Sequence, residues 1–189
     1  MGRPMKFEAD AAVDRAMDLF WLQGYAATTP QQLADELGIA KGSLYNTFES
    51  KHALFTRALR RYSEMRLAYL TELFDGPGPV RPRIQQAVTV LCGLGEHRRG
   101  CVVVNAAAEL GTSDADVTGI ADDLFDKIEA VFRRAVEQGQ RSGELDPTRS
   151  AASAASQIVA TVIGLSVLVK ARGASRRPAT VIADLVASL

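Results

Sequence analysis

The chain has 189 residues, and 47% of them are hydrophobic, which is enough for one large domain or two small ones with a buried core. Its 22 basic and 22 acidic residues cancel, so bulk charge marks neither a nucleic-acid-binding protein nor an acidic one. Two cysteines do not make a disulfide framework, and the charged first twenty residues do not predict a signal peptide, so a cytoplasmic location is expected.

The first predicted helix covers residues 9–23 and ends at Gly24. Its apolar residues recur at three and four positions, which is the spacing of one helical face. That face consists of Val13, Ala16, Met17 and Phe20.

Residues 28–51 predict two short helices joined by a tight turn. Thr29 is a good N-cap, and Pro30 suits the first helical position because its missing N–H is not needed there. Gln32 stands three residues after the cap and completes a capping box. Gly38 can take the left-handed conformation that ends a helix. This layout is a helix-turn-helix, whose second helix can lie in the major groove of DNA.

The second helix of this motif is predicted over residues 40–47. Leu44 and Phe48 face the core, whereas the polar residues between them lie on other faces and can contact DNA. Ser50 then caps a helix over residues 51–74. Residues 41–66 carry an excess of four positive charges, which suits phosphate neutralisation, although a solvated helix face explains part of it equally well.

Prolines and glycines in residues 75–82 end the helical spacing of apolar residues, and a further helix is predicted over 83–96. The valines at 102–104 suit a strand by local propensity, but the alanines that follow favour a helix. Residues 116–138 carry the clearest amphipathic helical pattern of the chain.

A helix over residues 148–171 contains an uncharged stretch, 151–169, of nearly membrane-spanning length. Its serines, threonine and glutamine favour a helix buried against protein, so no membrane partner is expected. A last helix covers 179–188. The prediction is therefore an all-α protein of about nine helices.

Residues 7–62 resemble the DNA-binding domain of TetR-family transcriptional regulators. The resemblance rests on residues 19–25, 28–30, 33–39 and 41–51, with residues 2–4 similar to the start of many members. It implies a DNA-binding domain over residues 1–50, a linking helix over 51–74, and an effector-binding and dimerisation domain over 75–189. It also implies a regulator, taken here as a repressor, that a small molecule releases from a palindromic operator in double-stranded DNA.

The resemblance also implies which residues contact DNA. Ser43 and Asn46 can bond base edges or phosphates, and asparagine suits adenine. Gly42 permits close backbone approach, and Arg3 either reaches DNA from a flexible arm or belongs to a disordered terminus. The full set of expected DNA contacts is Thr28, Thr29, Lys41, Gly42, Ser43, Tyr45, Asn46 and Lys51, of which Thr28, Thr29, Tyr45 and Lys51 would mainly hold phosphates.

A single helix-turn-helix buries too little surface for tight, specific binding, so a homodimer is expected. Members of this family pair through a four-helix bundle of their last two long helices. An internal core helix is the alternative for 148–171. The expected interface residues are Ile158, Val162, Leu165 and Leu168.

By the same resemblance, an unknown effector would enter the helical core between residues 83 and 170. For Asn105 and Glu109, which lie four apart, ordinary helix hydrogen bonding is an equal alternative. The expected pocket residues are Leu91, His97, Cys101, Asn105, Glu109, Phe125, Ile128, Phe132 and Val162.

Cys101 supports a second hypothesis, a thiol that senses oxidants or electrophiles, since basic residues and a helix N-terminus lie close to it. An inert buried cysteine is its alternative. Cys92, His97 and Cys101 do not converge on a metal, and no acid or amide is placed to orient His97 toward Cys101, so neither a metal, a cofactor nor an enzyme is expected. A small-molecule-binding or redox-active helical protein with weak DNA contact is the alternative class.

Overall fold

The computed structural model describes residues 4–94, 99–172 and 177–189, and every regular element in these ranges is helical. The all-α prediction is confirmed, with nine α-helices in the described ranges and one 3₁₀ turn, Gly111–Ser113. The helices are α1 (Pro4–Gln23), α2 (Pro30–Leu37), α3 (Lys41–Phe48), α4 (Lys51–Asp75), α5 (Val80–Leu91), α6 (Val102–Leu110), α7 (Ala115–Arg141), α8 (Ala151–Arg172) and α9 (Arg177–Ala187).

Helices α1 to α3 and the first turns of α4 enclose an aromatic core. The Phe20 and Phe55 rings meet edge to face with centroids 4.9 Å apart, and Tyr25 packs on Phe55 at 4.8 Å. All four residues of the predicted α1 face are buried. The helix starts at Pro4, five residues earlier than its periodicity indicated.

The turn between α4 and α5 is held by a buried arginine. The Arg83 guanidinium donates to the carbonyl oxygens of Phe74, Gly76, Gly78 and Pro79 at 2.6–3.1 Å, and its side chain is almost fully enclosed. These bonds satisfy carbonyl oxygens at the C-terminal end of α4 and in the turn that follows it. Helix α5 runs from Val80 to Leu91 rather than over the predicted 83–96.

The valines at 102–104 open α6, so the strand alternative is wrong and the helix prediction is confirmed. Asp114 caps α7 by accepting the Val117 N–H at 3.1 Å. The predicted apolar face of α7 is buried along its whole length.

Helix α8 is long and apolar enough to cross a membrane by composition, as residues Ala151–Ala171 show. In the fold, one face of α8 packs on α7, and Ala154, Ala155 and Ile158 are fully buried there. Three residues expected at a dimer interface, Ile158, Val162 and Leu165, lie in this intramolecular core, whereas Leu168 is half-buried. The chain's own core already covers the first three, so the expected interface stays a prediction, and the exposed residues of α8 lie on another face of the helix.

Candidate DNA interface and effector cavity

Helices α2 and α3 form the expected helix-turn-helix. Gln32 N–H donates to Thr29 Oγ1 at 3.2 Å, and Thr29 N–H donates to the Gln32 side chain at 2.8 Å, which is the reciprocal capping box. Gly38 ends α2 in the left-handed region at φ 68°, and its N–H bonds back to the carbonyl oxygens of Ala34 and Asp35. Both ends of α2 are therefore fixed by residues next to them in the sequence.

One face of α3 is anchored and the other is open. Leu44 and Phe48 are buried beneath it. A Cβ atom built on Gly42 would meet nothing within 4 Å, so its small size serves no internal packing contact. The exposed residues of α3 are Lys41, Gly42, Ser43, Tyr45, Asn46 and Thr47, which include every residue expected to read the groove.

Two residues expected to bind phosphate, Thr28 and Lys51, make hydrogen bonds to backbone carbonyls within the domain. The Thr28 side chain is fully buried and donates from Oγ1 to the Gly24 carbonyl at 2.6 Å. Lys51 Nζ donates to the carbonyl oxygens of Tyr25 and Thr28, both at 2.9 Å, and lies 4.1 Å from the Tyr25 ring centroid. An ammonium group has three N–H donors, so one remains for a phosphate.

Part of the basic charge around this motif is neutralised by α1. Arg57 pairs with Asp10 at 3.3 Å, and Arg61 pairs with Asp14 at 3.1 Å. The Asp14 carboxylate raises the pKa of the Arg61 guanidinium further. The net positive field at the DNA-facing side is therefore weaker than the local sequence indicates.

The comparisons with known proteins match this geometry. Residues 12–58 match the family described as bacterial regulatory proteins, tetR family, and residues 95–185 match the tetracyclin repressor-like C-terminal domain. The uncharacterized HTH-type transcriptional regulator YezE of Bacillus subtilis is 32% identical over 152 residues, which are 76% of this chain and 78% of YezE. The chain belongs to the TetR family of bacterial transcription regulators.

Two further TetR-type proteins share most of the chain. The transcriptional repressor ComR of Escherichia coli is 29% identical over 77% of this chain and 71% of its own. A cysteine mutant of the TetR regulator CifR, solved with 26-base-pair operator DNA, is 28% identical, covers 95% of both chains and superposes with a TM-score of 0.77. As a TetR-family member, the protein is a DNA-binding transcription regulator.

The effector half of this TetR-family chain contains a small apolar cavity of about 10 Å³, room for about one water molecule. Five of the expected pocket residues line it: Leu91, Cys101, Phe125, Ile128 and Val162. The other lining residues are Tyr62, Arg66, Val104, Leu124, Val159 and Ile163.

Three other expected pocket residues act elsewhere, and His97 lies outside the described residues. Asn105 donates to the Arg99 carbonyl at 2.9 Å, and the Phe132 ring packs edge to face on Phe74 at 5.8 Å. Glu109 accepts the backbone N–H groups of Tyr25 at 2.9 Å and Ala26 at 2.6 Å. Glu109 thus connects α6 to the turn before α2.

Polar side chains that the sequence did not predict at this place border the cavity. Burial raises the pKa of the Tyr62 hydroxyl well above its usual value. Cys101 and Arg66 line the cavity together with Tyr62. The Arg66 guanidinium stacks 4.7 Å from the Tyr62 ring centroid. The Trp21 indole N–H reaches the Gly100 carbonyl at 3.1 Å. The spacing of Trp21 and Tyr62 along their own helices does not show which neighbouring helix their rings meet.

A second face of α8 remains exposed. It carries Ala152, Ser156, Ala160, Gly164 and Val167, and Val167 is 48% exposed. Most of this face points away from α7, and Ser156 at its edge donates to Glu129 of α7 at 2.9 Å.

Proposed function

We propose that this protein is a homodimeric, cytoplasmic repressor whose α3 helices read the two halves of a palindromic operator. The observation that carries the proposal is the polar, exposed face of α3 held rigidly by buried Leu44 and Phe48. Asn46 and Ser43 act on base edges, whereas Lys41, Tyr45 and the remaining donor of Lys51 act on phosphates. Thr29 stands at the exposed N-terminus of α2, where a phosphate can approach.

Dimerisation uses the exposed face of α8 together with α9. Ala152, Ala160 and Gly164 allow two helices to approach closely, and Val167 supplies apolar area. A dimer holds its two DNA-binding domains at a fixed distance, which matches the fixed spacing between the two half-sites of an operator. Sedimentation of the protein as a monomer at micromolar concentration would overturn this arrangement.

An effector acts at the cavity between α4, α6, α7 and α8. Because the cavity holds about one water molecule, a larger ligand must push these helices apart and therefore favours an expanded conformation. Glu109 on α6 bonds to the Tyr25 turn, and Tyr62 on α4 packs edge to face on Trp21 of α1, so both link that expansion to the DNA-reading half. The ligand thereby weakens DNA binding by shifting the population of conformations.

Thiol sensing through Cys101 is a second candidate function, favoured by one observation. Cys101 lines the cavity beside Tyr62 and Arg66, so an electrophile that enters the cavity meets its thiol. The CifR structure in complex with operator DNA was itself solved with a cysteine mutant.

A salt-dependent gel shift on DNA upstream of the protein's own gene tests the main proposal. The expected result is specific binding by the wild type that is weakened in Asn46→Ala and retained in the distant surface variant Gln85→Ala. For the second candidate, DNA binding is measured before and after maleimide treatment of the wild type and of Cys101→Ser. Unchanged binding after full modification of Cys101 removes thiol sensing and leaves the DNA-binding proposal intact.

A further inference from the structure

Three side chains able to bind a metal meet where the DNA-reading half joins the effector half. His52 lies in the first turn of α4, four residues after α3 ends, whereas Asp114 caps α7 and Asp116 lies in its first turn. Their ligand atoms all lie within 4.8 Å of one another. Among the described residues this is the one such cluster of histidine, cysteine and acidic side chains.

We infer that His52, Asp114 and Asp116 form a binding site for a divalent transition metal such as Zn²⁺, placed across the joint between α4 and α7. An imidazole nitrogen with two carboxylates is a donor set that suits Zn²⁺, Co²⁺ or Ni²⁺ better than Mg²⁺ or Ca²⁺, which prefer oxygen alone. Three protein ligands leave a fourth position for water.

The present geometry needs small changes to hold the ion. His52 Nε2 and Asp114 Oδ2 are 2.8 Å apart, whereas two ligands of a tetrahedral Zn²⁺ stand roughly 3.3 Å apart. Side-chain rotation accounts for this difference, since His52 keeps 35% of its side chain exposed and Asp116 is exposed. Asp114 Oδ1 can continue to cap α7 while Oδ2 binds the metal.

Charge also favours a cation at this place. In the His52–Asp114 pair, one carboxylate contacts one imidazole. The Asp116 carboxylate lies within 4.8 Å of both and adds a second negative charge. A divalent ion would neutralise both carboxylates and replace their mutual repulsion by attraction.

The ion would tie the first turn of α4, which begins three residues after α3 ends, to the first turn of α7. Because metal binding to one conformation stabilises it, the metal would raise the melting temperature and would resist any effector that moves α4 away from α7. Binding of the metal does not depend on which operator or effector the protein uses, so its failure would leave the proposed function standing.

The test uses the full, tag-free chain after chelator treatment. Titration with Co²⁺ followed by visible absorption and calorimetry should show one ion per chain, and Zn²⁺ should raise the melting temperature. Asp116→Asn, which keeps the His52–Asp114 pair and the α7 cap, and His52→Gln should each weaken Co²⁺ binding at least tenfold.

Two matched variants guard against other binding modes. Asp122→Asn removes the same charge from an exposed position of α7, and His97→Gln removes the other histidine of the chain. Both should bind Co²⁺ as the wild type does. Circular dichroism establishes that each variant is folded. The inference is overturned if the wild type binds no Co²⁺, if Asp116→Asn and His52→Gln bind it unchanged, or if strong thiolate charge-transfer bands place the ion on the cysteines.

Discussion

The Glu109 carboxylate accepts the Tyr25 backbone N–H at 2.9 Å, across 84 residues of sequence. The same carboxylate accepts the Ala26 N–H at 2.6 Å, so one side chain of α6 serves two donors of the turn that precedes the helix-turn-helix. A Cβ on Gly24 would lie 2.7 Å from this carboxylate, which explains a glycine at φ 85° in that place. This contact joins α6, whose N-terminal residues Cys101 and Val104 line the cavity, to the turn before the helix-turn-helix.

Glu109→Ala should loosen that link. Loss of two charge-assisted hydrogen bonds at an exposed site should lower the free energy of unfolding by about 1.5 kcal/mol, measured by urea titration. Operator binding should weaken as well, because the DNA-reading half is no longer held in one orientation. Glu72→Ala, an exposed position of α4, is the matched control and should change neither quantity.

Asn46→Ala and Lys41→Ala should weaken DNA binding in different ways. Asn46→Ala should cost about 1–3 kcal/mol on the operator and little on unrelated DNA, because it removes a contact to a base edge. Lys41→Ala should weaken binding to all sequences and reduce the slope of log K against log salt by about one. Gel shifts over a series of salt concentrations separate the two effects, and equal loss on all DNA for Asn46→Ala would contradict its reading role.

Lys51→Ala should reduce both stability and DNA affinity. The ammonium group holds the Tyr25 and Thr28 carbonyls, so its loss should destabilise the domain by about 1–2 kcal/mol. Its remaining N–H donor faces a phosphate in the proposed complex, so binding to all sequences should weaken and the salt slope should fall by about one. An unchanged salt slope in a folded variant would assign Lys51 to the turn alone.

Arg83→Met should be strongly destabilising. The substitution keeps the apolar stem but leaves four carbonyl oxygens of the α4–α5 turn without their donor. We expect a loss of about 3 kcal/mol or more in the free energy of unfolding. Arg133→Met, on the exposed side of α7, is the control and should remain within about 0.5 kcal/mol of the wild type.

Asp146 predicts a pH dependence of stability. Hydrogen bonds from the backbone N–H and the hydroxyl of Thr148, with help from Arg149, lower the pKa of the Asp146 carboxyl. A lowered pKa in the folded state means that the carboxylate stabilises the fold above its unfolded pKa of about 3.9 and stops doing so as pH falls through the lower folded value. Asp146→Asn should therefore melt below the wild type at neutral pH, and the two melting temperatures should converge below about pH 4. Parallel curves down to pH 3 would contradict the assignment.

Local chemistry allowed the helix-turn-helix to be predicted residue by residue. The capping box of Thr29 and Gln32, the left-handed Gly38 and the cap at Ser50 each depend on neighbours within four positions, so they can be recognised without the rest of the fold. Strong periodicity likewise predicted the buried face of α7. The placement of Lys41 and Asn46 on the open side of α3 follows from the same spacing.

Contacts between distant segments were decided by the tertiary structure. Helix α5 starts at Val80 because Glu144, 64 residues away, accepts the Val80 N–H at 2.7 Å. The residues next to Val80 do not predict a cap from so distant a side chain. Helix α8 has no charged residue over 151–169 and has alanines and valines on several sides, so its periodicity could not show that Ile158 packs inside the chain while Val167 stays exposed. Glu109, expected at the cavity, instead holds the Tyr25 turn, because a carboxylate bonds to whichever backbone donors the fold brings to it. The sequence by itself therefore determined how the protein presents its DNA-reading helix, whereas the packing of α6, α7 and α8 decided where the cavity lies and which residues connect it to that helix.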